Sequence, residues 1–323
     1  MRYRLLGRTG LRVSDLFLGT MGWQEASPEA RRLLDAYAES GGNVLDTAAM
    51  YGDSESVVGE LLQGRRDRFV LATKYTPTID RTDPNAGGNH RRALVRSLEQ
   101  SLRRLRTDYL DLLWVHVWDR HTPIEETMRA LDDVVRSGKV LYVGMSDAPA
   151  WLVSQANTLA DWRGWTPFAG LQVPYSLLRR DAERELLPMA RALGISVAAW
   201  GPLAHGVLAG RYDTPGAVAG DLGERERAMG RAVVEVAGEL GVTAAQVALA
   251  WIMARGAHPI VGASTAEQLK DDVGASGLAL PEEAVRRLES AVPFDPGFPR
   301  DFVEAVDISP EVYGDAVHLL DGR

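Results

Sequence analysis

What most restricts the folding of this chain is a rhythm: a short, nearly continuous apolar run followed by a stretch with helix signals, eight times over. The runs lie at 15–20, 43–46, 69–74, 109–116, 140–146, 168–172, 195–200 and 258–262. Helices are predicted from Ser27-Pro28-Glu29 to Gly41, then over 54–62, 91–105, 123–137, 149–159 and 181–193. Two more follow the seventh run, at 224–240 and 244–254, and two follow the eighth, at 265–273 and 281–291. Ser27 is a cap, Pro28 suits a first helical turn, and Glu29 suits its positive end. Strands this apolar are buried on both faces, which is the pattern of a closed parallel barrel wrapped in helices. An open doubly wound sheet usually has fewer strands, and its nucleotide-binding form carries G-x-G-x-x-G after the first one. That motif is absent. The expectation is α/β, a (β/α)8 TIM barrel forming one domain over 1–323. A β-hairpin at 3–13 precedes it, and an irregular, proline-containing tail after Val292 lies over the barrel.

Composition narrows the function. At 46% hydrophobic and 25% charged, the 323 residues can bury a sizeable core. The net charge of −8 and pI near 5.4 oppose nucleic acid and anionic membrane, so a small molecule is the expected partner. No run of 18 apolar residues occurs and the start lacks a signal-peptide core, which predicts a cytoplasmic protein. With no cysteine there is no disulfide, no Cys-bound zinc and no thiol catalysis. The number of subunits is left open.

In a parallel barrel the chemistry gathers where the C-terminal strand ends converge. At or just past those ends stand Thr20, Asp46, Lys74, His116, Ser146, Gln172, Trp200 and Ser264. Tyr51 leans in from the loop after the second strand. A phenol titrates near pH 10, and a neighbouring ammonium stabilises the phenolate. A carboxylate beside that lysine keeps it charged and oriented, and a histidine can hold a substrate oxygen in line. Tyr51 is thus the candidate proton donor, Lys74 and Asp46 its modifiers, and His116 the orienting group. With no thiol and no metal-ligand pattern, a hydride must be borrowed from a cofactor.

Each of these residues has a plainer reading. Asp46 could cap a helix, Lys74 could be solvated, His116 could be a satisfied core residue, and Trp200 could be loop cover. The arginines from Arg91 to Arg106 read as a solvated helix face. What favours chemistry is that the candidates fall at corresponding ends of successive strands. Two rival chemistries are weaker. Gly144-Met145-Ser146-Asp147-Ala148 approximates a nucleophile elbow with alanine in its last place, which would make Ser146 a hydrolase nucleophile. His116 to His121 lacks the spacing of a metal site.

Asp46-Thr47-Ala48-x-x-Tyr51-Gly52, Lys74 and His116 resemble the catalytic set of the aldo-keto reductases. The resemblance runs from about Leu5 to Leu288. It includes Gly138-Lys139-Val140-x-Tyr142-Val143-Gly144-x-Ser146, Gln172-x-x-Tyr175 and Gly262-Ala263-Ser264-x-x-Glu267-Gln268-Leu269. Within the family the chain looks most like the branch of potassium-channel β subunits and bacterial aldehyde and keto-sugar reductases. The resemblance implies NADPH-dependent reduction of an aldehyde or ketone, keto-sugars included. The alternative from that branch is a slow, cofactor-sensing binding subunit.

The resemblance also assigns a cofactor surface. Ser146 and Gln172 would hold the nicotinamide carboxamide, Trp200 would stack on the ring, and Gly201, Pro202 and Leu203 would follow the pyrophosphate. Ser264, Gln268 and Arg211 would meet the 2′-phosphate region, with Asp271 and Asp272 at the adenine. Gly19, Thr20, Met21, Asp147 and Gly262 complete that surface. The family usually has Asn where this chain has Asp147, often Asn in place of Asp272, and often Lys or Arg in place of Ser264. These departures weaken the preference for NADPH over NADH. Trp23, Trp118, the loop after Lys74 and the C-terminal tail are expected to wall the substrate pocket.

Overall fold

The computed structural model describes residues 1–78, 80–211, 222–306 and 309–319. The long loop expected from Gly201 to about Gly223 and the end of the tail therefore fall partly outside the described residues. Strands β1 (Tyr3–Leu5) and β2 (Arg12–Ser14) form an antiparallel hairpin. The barrel strands are β3 (Phe17–Gly19), β4 (Val44–Asp46), β5 (Val70–Tyr75), β6 (Leu110–Val115), β7 (Val140–Ser146), β8 (Phe168–Pro174), β9 (Ser196–Trp200) and β10 (Ala257–Val261). They are hydrogen-bonded in chain order, all parallel, and β10 closes onto β3.

The connecting helices are α1 (Pro28–Glu39), α2 (Ser54–Leu61), α3 (Arg91–Leu105), α4 (Ile124–Arg136), α5 (Ala150–Arg163), α6 (Leu186–Leu193), α7 (Glu224–Leu240), α8 (Ala244–Ala254) and α9 (Ala266–Val273). Their start signals act as the sequence suggests. Ser27 accepts from Ala30 N at 3.1 Å with Pro28 at the first position of α1, and Thr243 with Gln246 makes a capping box on α8. The helix expected over 181–193 is instead a 3-10 turn at Asp181–Glu183 followed by α6. Pro188 explains the break: it has no N–H to continue a helix begun at 181, but fits the first turn of one begun at 186.

Helix α10 (Glu282–Ala291) is followed by the tail, which is more ordered than expected. It contains α11 (Arg300–Val306) and α12 (Pro310–Tyr313). Ser309 accepts from Glu311 N at 3.2 Å ahead of Pro310, the same cap-and-proline signal that starts α1. The tail is tied to the segment after β8. Arg184 donates to Asp295 O at 3.0 Å and lies over the Phe294 ring at 4.9 Å, and Arg300 donates to Glu183 O. Among the described residues no single helix is long and apolar enough to cross a membrane.

Two apolar layers hold the barrel. The larger lies between strands and helices, with Leu18, Leu45, Leu71, Leu113, Met145 and Leu171 against the helical ring. The smaller fills the interior with Phe17, Val44, Val70, Ala72, Leu112, Trp114, Ala198 and Ile260, and the hairpin residues Leu6 and Val13 join it from below. The hairpin turn seals the N-terminal end: Gly7 N donates to Ser196 Oγ at 2.7 Å, where β9 begins. Gly7 has φ +55°, and a Cβ there would stand 2.4 Å from Ala169 O, so this contact requires glycine. His258 of β10 is buried beside the same seal, stacked on Phe17 at 4.9 Å, with Nδ1–H donating to Ser14 O at 3.1 Å.

Trp114 sets the middle of the barrel. A Cβ at Gly144 would lie 2.4 Å from its indole and one at Gly170 2.7 Å, so the two glycines leave the volume the ring fills. Gly144→Ala is expected to lower stability by about 1–3 kcal/mol through overpacking. Urea unfolding would show this as a lower midpoint at unchanged slope.

Candidate functional site

Strand parity decides what enters the barrel mouth. Side chains two apart on a strand share a face. Val44, Ala72, Trp114 and Ala198 point inward, so the residues two further on, Asp46, Lys74, His116 and Trp200, do the same at the C-terminal end. Gly144 and Gly170 lie beside Trp114, and two residues past them stand Ser146 and Gln172, paired in register.

At the centre is a buried ion pair. Lys74 and Asp46 are 1% and 3% exposed, and Lys74 Nζ donates to Asp46 Oδ1. Nζ also donates to Thr47 O at 2.9 Å, and Asp46 Oδ2 accepts from Gln172 Nε2 at 3.0 Å. Both charges thereby gain the further hydrogen bonds that buried ions need. The Tyr51 ring lies above, its centroid 4.9 Å from Lys74 Nζ and 5.9 Å from the His116 ring in an edge contact.

Tyr51 is held by its backbone. Its N–H donates to Ala48 O at 3.0 Å and its carbonyl accepts from Ser54 N at 3.2 Å and Gln24 Nε2 at 3.2 Å. Ser54, wholly buried, donates to Thr20 O at 2.7 Å and also contacts the hydroxyls of Thr20 and Thr47. This polar knot pins the 47–54 loop to the ends of β3 and β4.

Burial, then the nearby Lys74 charge, push the His116 pKa down to about 4, so its imidazole is neutral at pH 7. Its Nδ1 is buried with no hydrogen-bond partner. Asp147 has φ +47°, and burial raises its pKa against the hydrogen bond it accepts from Trp200 Nε1 at 3.2 Å. Asp272 is pushed up to about 7 by burial and then by Asp271, partly offset by Arg211.

A cavity of about 1060 Å³ opens at this end of the barrel, above the usual ~300–1,000 Å³ of small-molecule pockets. Asp46, Tyr51 and His116 line it, with Gly19 at the end of β3 and Thr20, Met21 and Trp23 just after it. Ser146, Asp147 and Gln172 form another part of its wall. Trp200, Gly201, Pro202, Leu203 and Arg211 follow, and Gly262, Ser264 and Gln268 complete it near α9. The expected site residues thus share one cavity, with four exceptions. Lys74 lies behind Tyr51 and Asp46. Asp272 is buried in α9, and Asp271 is occupied in bonds from Thr243 Oγ1 at 2.8 Å and Gln246 Nε2 at 3.1 Å.

Trp118 is the fourth: it packs edge-on against Trp151 at 5.5 Å, outside the cavity lining. No described residue of the tail, or of the loop after Lys74, lines the cavity either. The expected pocket wall is corrected accordingly, because the tail is drawn to the 183–184 segment by Arg184 and Arg300. Other lining residues carried no sequence signal for this site, among them Gln24, Glu25 and Glu29. They stand in loops or, for Glu29, in a helix start that already explains an acid. His205 has φ +55° in the turn after β9, and only the glycines around it hinted at an unusual path.

Residues 15–293 match the model of the Aldo/keto reductase family. The chain is similar to a norsolorinic acid reductase of Aspergillus flavus, 41% identical over 324 residues that cover 93% of this chain and 84% of the relative. It is also similar to a putative aryl-alcohol dehydrogenase of Saccharomyces cerevisiae, at 38% identity covering 94% and 89%. An uncharacterized oxidoreductase of Bacillus subtilis is 41% identical, covering 91% and 96%.

Removing one partner of the buried pair leaves the other uncompensated. Lys74→Met is expected to cost about 3–5 kcal/mol, and Lys74→Met with Asp46→Asn to recover much of it, read by chemical denaturation. The two depressed histidines predict acid sensitivity. His116 and His258 titrate at about 4 in the fold against 6.5 ordinarily, so between these values the unfolded chain binds more protons. Stability should be full above 6.5 and fall as pH drops through about 4. His116→Gln should flatten that slope without abolishing it.

Proposed function

Because the chain belongs to the aldo/keto reductase family, we propose that it reduces an aldehyde or ketone to the alcohol with NADPH, Tyr51 acting as general acid. The observation that carries this reading is the Tyr51 ring at the cavity wall, 4.9 Å from a lysine whose charge is held by a buried aspartate. When bound, the nicotinamide supplies the hydride to the carbonyl carbon. As that carbon is reduced, negative charge grows on the oxygen, and Tyr51 delivers its phenolic proton there. The Lys74 ammonium stabilises the phenolate left behind, and Asp46 fixes the position of Lys74 through the pair that Gln172 also braces. His116, neutral at pH 7, serves as a hydrogen-bonding group for the substrate oxygen and not as the acid. A proton from solvent then restores Tyr51.

Several features fit the dinucleotide. Ser146 places a buried hydroxyl in the cavity wall, suited to an amide. Trp200 offers a ring face in the same wall, and the cavity continues past Gly201 to Leu203 as far as Arg211, Ser264 and Gln268. Arg211 would favour the 2′-phosphate of NADPH. Trp23 closes the carbonyl side as a nearly buried wall. The yeast relative is named for aryl alcohols, so aryl aldehydes join ketones and keto-sugars as the first substrates to try.

Tyr51→Phe is expected to bind NADPH as the parent chain does while losing roughly 10²–10⁴-fold in kcat. Stopped-flow oxidation of NADPH against aryl aldehydes, ketones and keto-sugars measures this, with NADH run in parallel. A Tyr51→Phe protein that keeps most of its turnover would overturn the assignment. Tight NADPH binding without turnover on any carbonyl would point to a sensing subunit instead.

A further inference from the structure

The cavity wall formed by Ser264 and Gln268 is the N-terminus of α9, a place where backbone N–H groups favour an anion. Every donor there for which a bond is seen is engaged by an oxygen of this chain. Ser264 N donates to Gln268 Oε1 at 3.0 Å and Gln268 N to Thr265 Oγ1 at 3.2 Å. Beside them the exposed Glu267 carboxylate is held below its usual range, its own backbone N–H being the leading cause. Ala266 N donates at 2.9 Å to Glu29 Oε1, a carboxylate from another helix.

Glu29 stands in the first turn of α1 and lines the cavity, so the N-termini of α1 and α9 meet at one negative group. Its other oxygen accepts from the exposed Arg32 at 3.3 Å. Arg211 is the sole Lys or Arg among the described cavity-lining residues. An anion brought to α9 must therefore displace or lie beside the Glu29 carboxylate, with one lining cation to offset it.

We infer that Glu29 is a cofactor-specificity residue whose carboxylate competes with the 2′-phosphate for the N-terminus of α9, narrowing the preference for NADPH over NADH. This rests on reading the cavity as a dinucleotide site. Neutralising Glu29 lifts the competition, and Gln keeps an acceptor for Ala266 N, so the cap survives while the charge goes. Glu29→Ala removes both.

The test is calorimetric titration of the full chain, its Glu29→Gln variant and its Glu29→Ala variant with NADP+ and NAD+. Adenosine 2′,5′-bisphosphate and adenosine 5′-monophosphate serve as probes that differ only by the 2′-phosphate. Removing one unit of like charge near the phosphate should tighten NADP+ roughly fivefold or more in both variants while NAD+ shifts less than about twofold. The bisphosphate should follow NADP+ and the monophosphate NAD+. An unchanged NADP+ to NAD+ ratio in Glu29→Gln, or a change in Glu29→Ala alone, would reduce Glu29 to a helix cap and sink the inference. Wild-type chain that binds neither dinucleotide would overturn the reading of the cavity itself.

Discussion

A lysine and an aspartate buried together at the barrel mouth are the constraint around which the rest of this structure is arranged. Taking two charges out of water costs several kcal/mol per ion, and mutual attraction offsets that only with good geometry and further hydrogen bonds. Asp46 ends β4, Lys74 belongs to β5, and the additional bonds come from Gln172 in β8 and the carbonyl of Thr47. Three strands and a loop must therefore be in register for the pair to be tolerated. A closed barrel holds them there because no strand has a free edge along which to slip.

The same pair organises the loop above it. Tyr51 lies over Lys74 because the 47–54 segment is pinned by Ser54 to Thr20 and Thr47, and because Gln24 holds the Tyr51 carbonyl. His116 approaches from β6 in an environment that keeps it neutral. Beneath this layer, Trp114 occupies the space left by Gly144 and Gly170, so the barrel is solid below and polar at the top. At its lower end the hairpin turn at Gly7 closes the barrel on Ser196.

The cavity extends well beyond the ion pair, and its far part is governed by different physics. Near Tyr51 the charged groups Asp46 and Lys74 are buried and paired with each other, whereas at α9 the wall is a helix end crowded with acids. Glu29 takes an N–H group that an external anion could otherwise use. Stability and ligand recognition are in tension there, since the bonds that finish the helix end are those a phosphate would seek.

Much of this was legible in the sequence because its cause is local. Eight apolar runs separated by helix signals imply a closed parallel barrel, and Ser27-Pro28 starts a helix by its own chemistry. Parity along a strand carries Asp46, Lys74, His116 and Trp200 to one mouth once the strands are recognised. The break before Pro188 and the tail helices were missed, although a proline marks each. Only the tertiary structure decided which distant groups meet. Gln172 reaches Asp46 across 126 positions and Glu29 reaches Ala266 across 237, and Trp118 pairs with Trp151 outside the cavity. Periodicity and caps act within a few residues, whereas these contacts arise from barrel closure and from how helices lean on its rim.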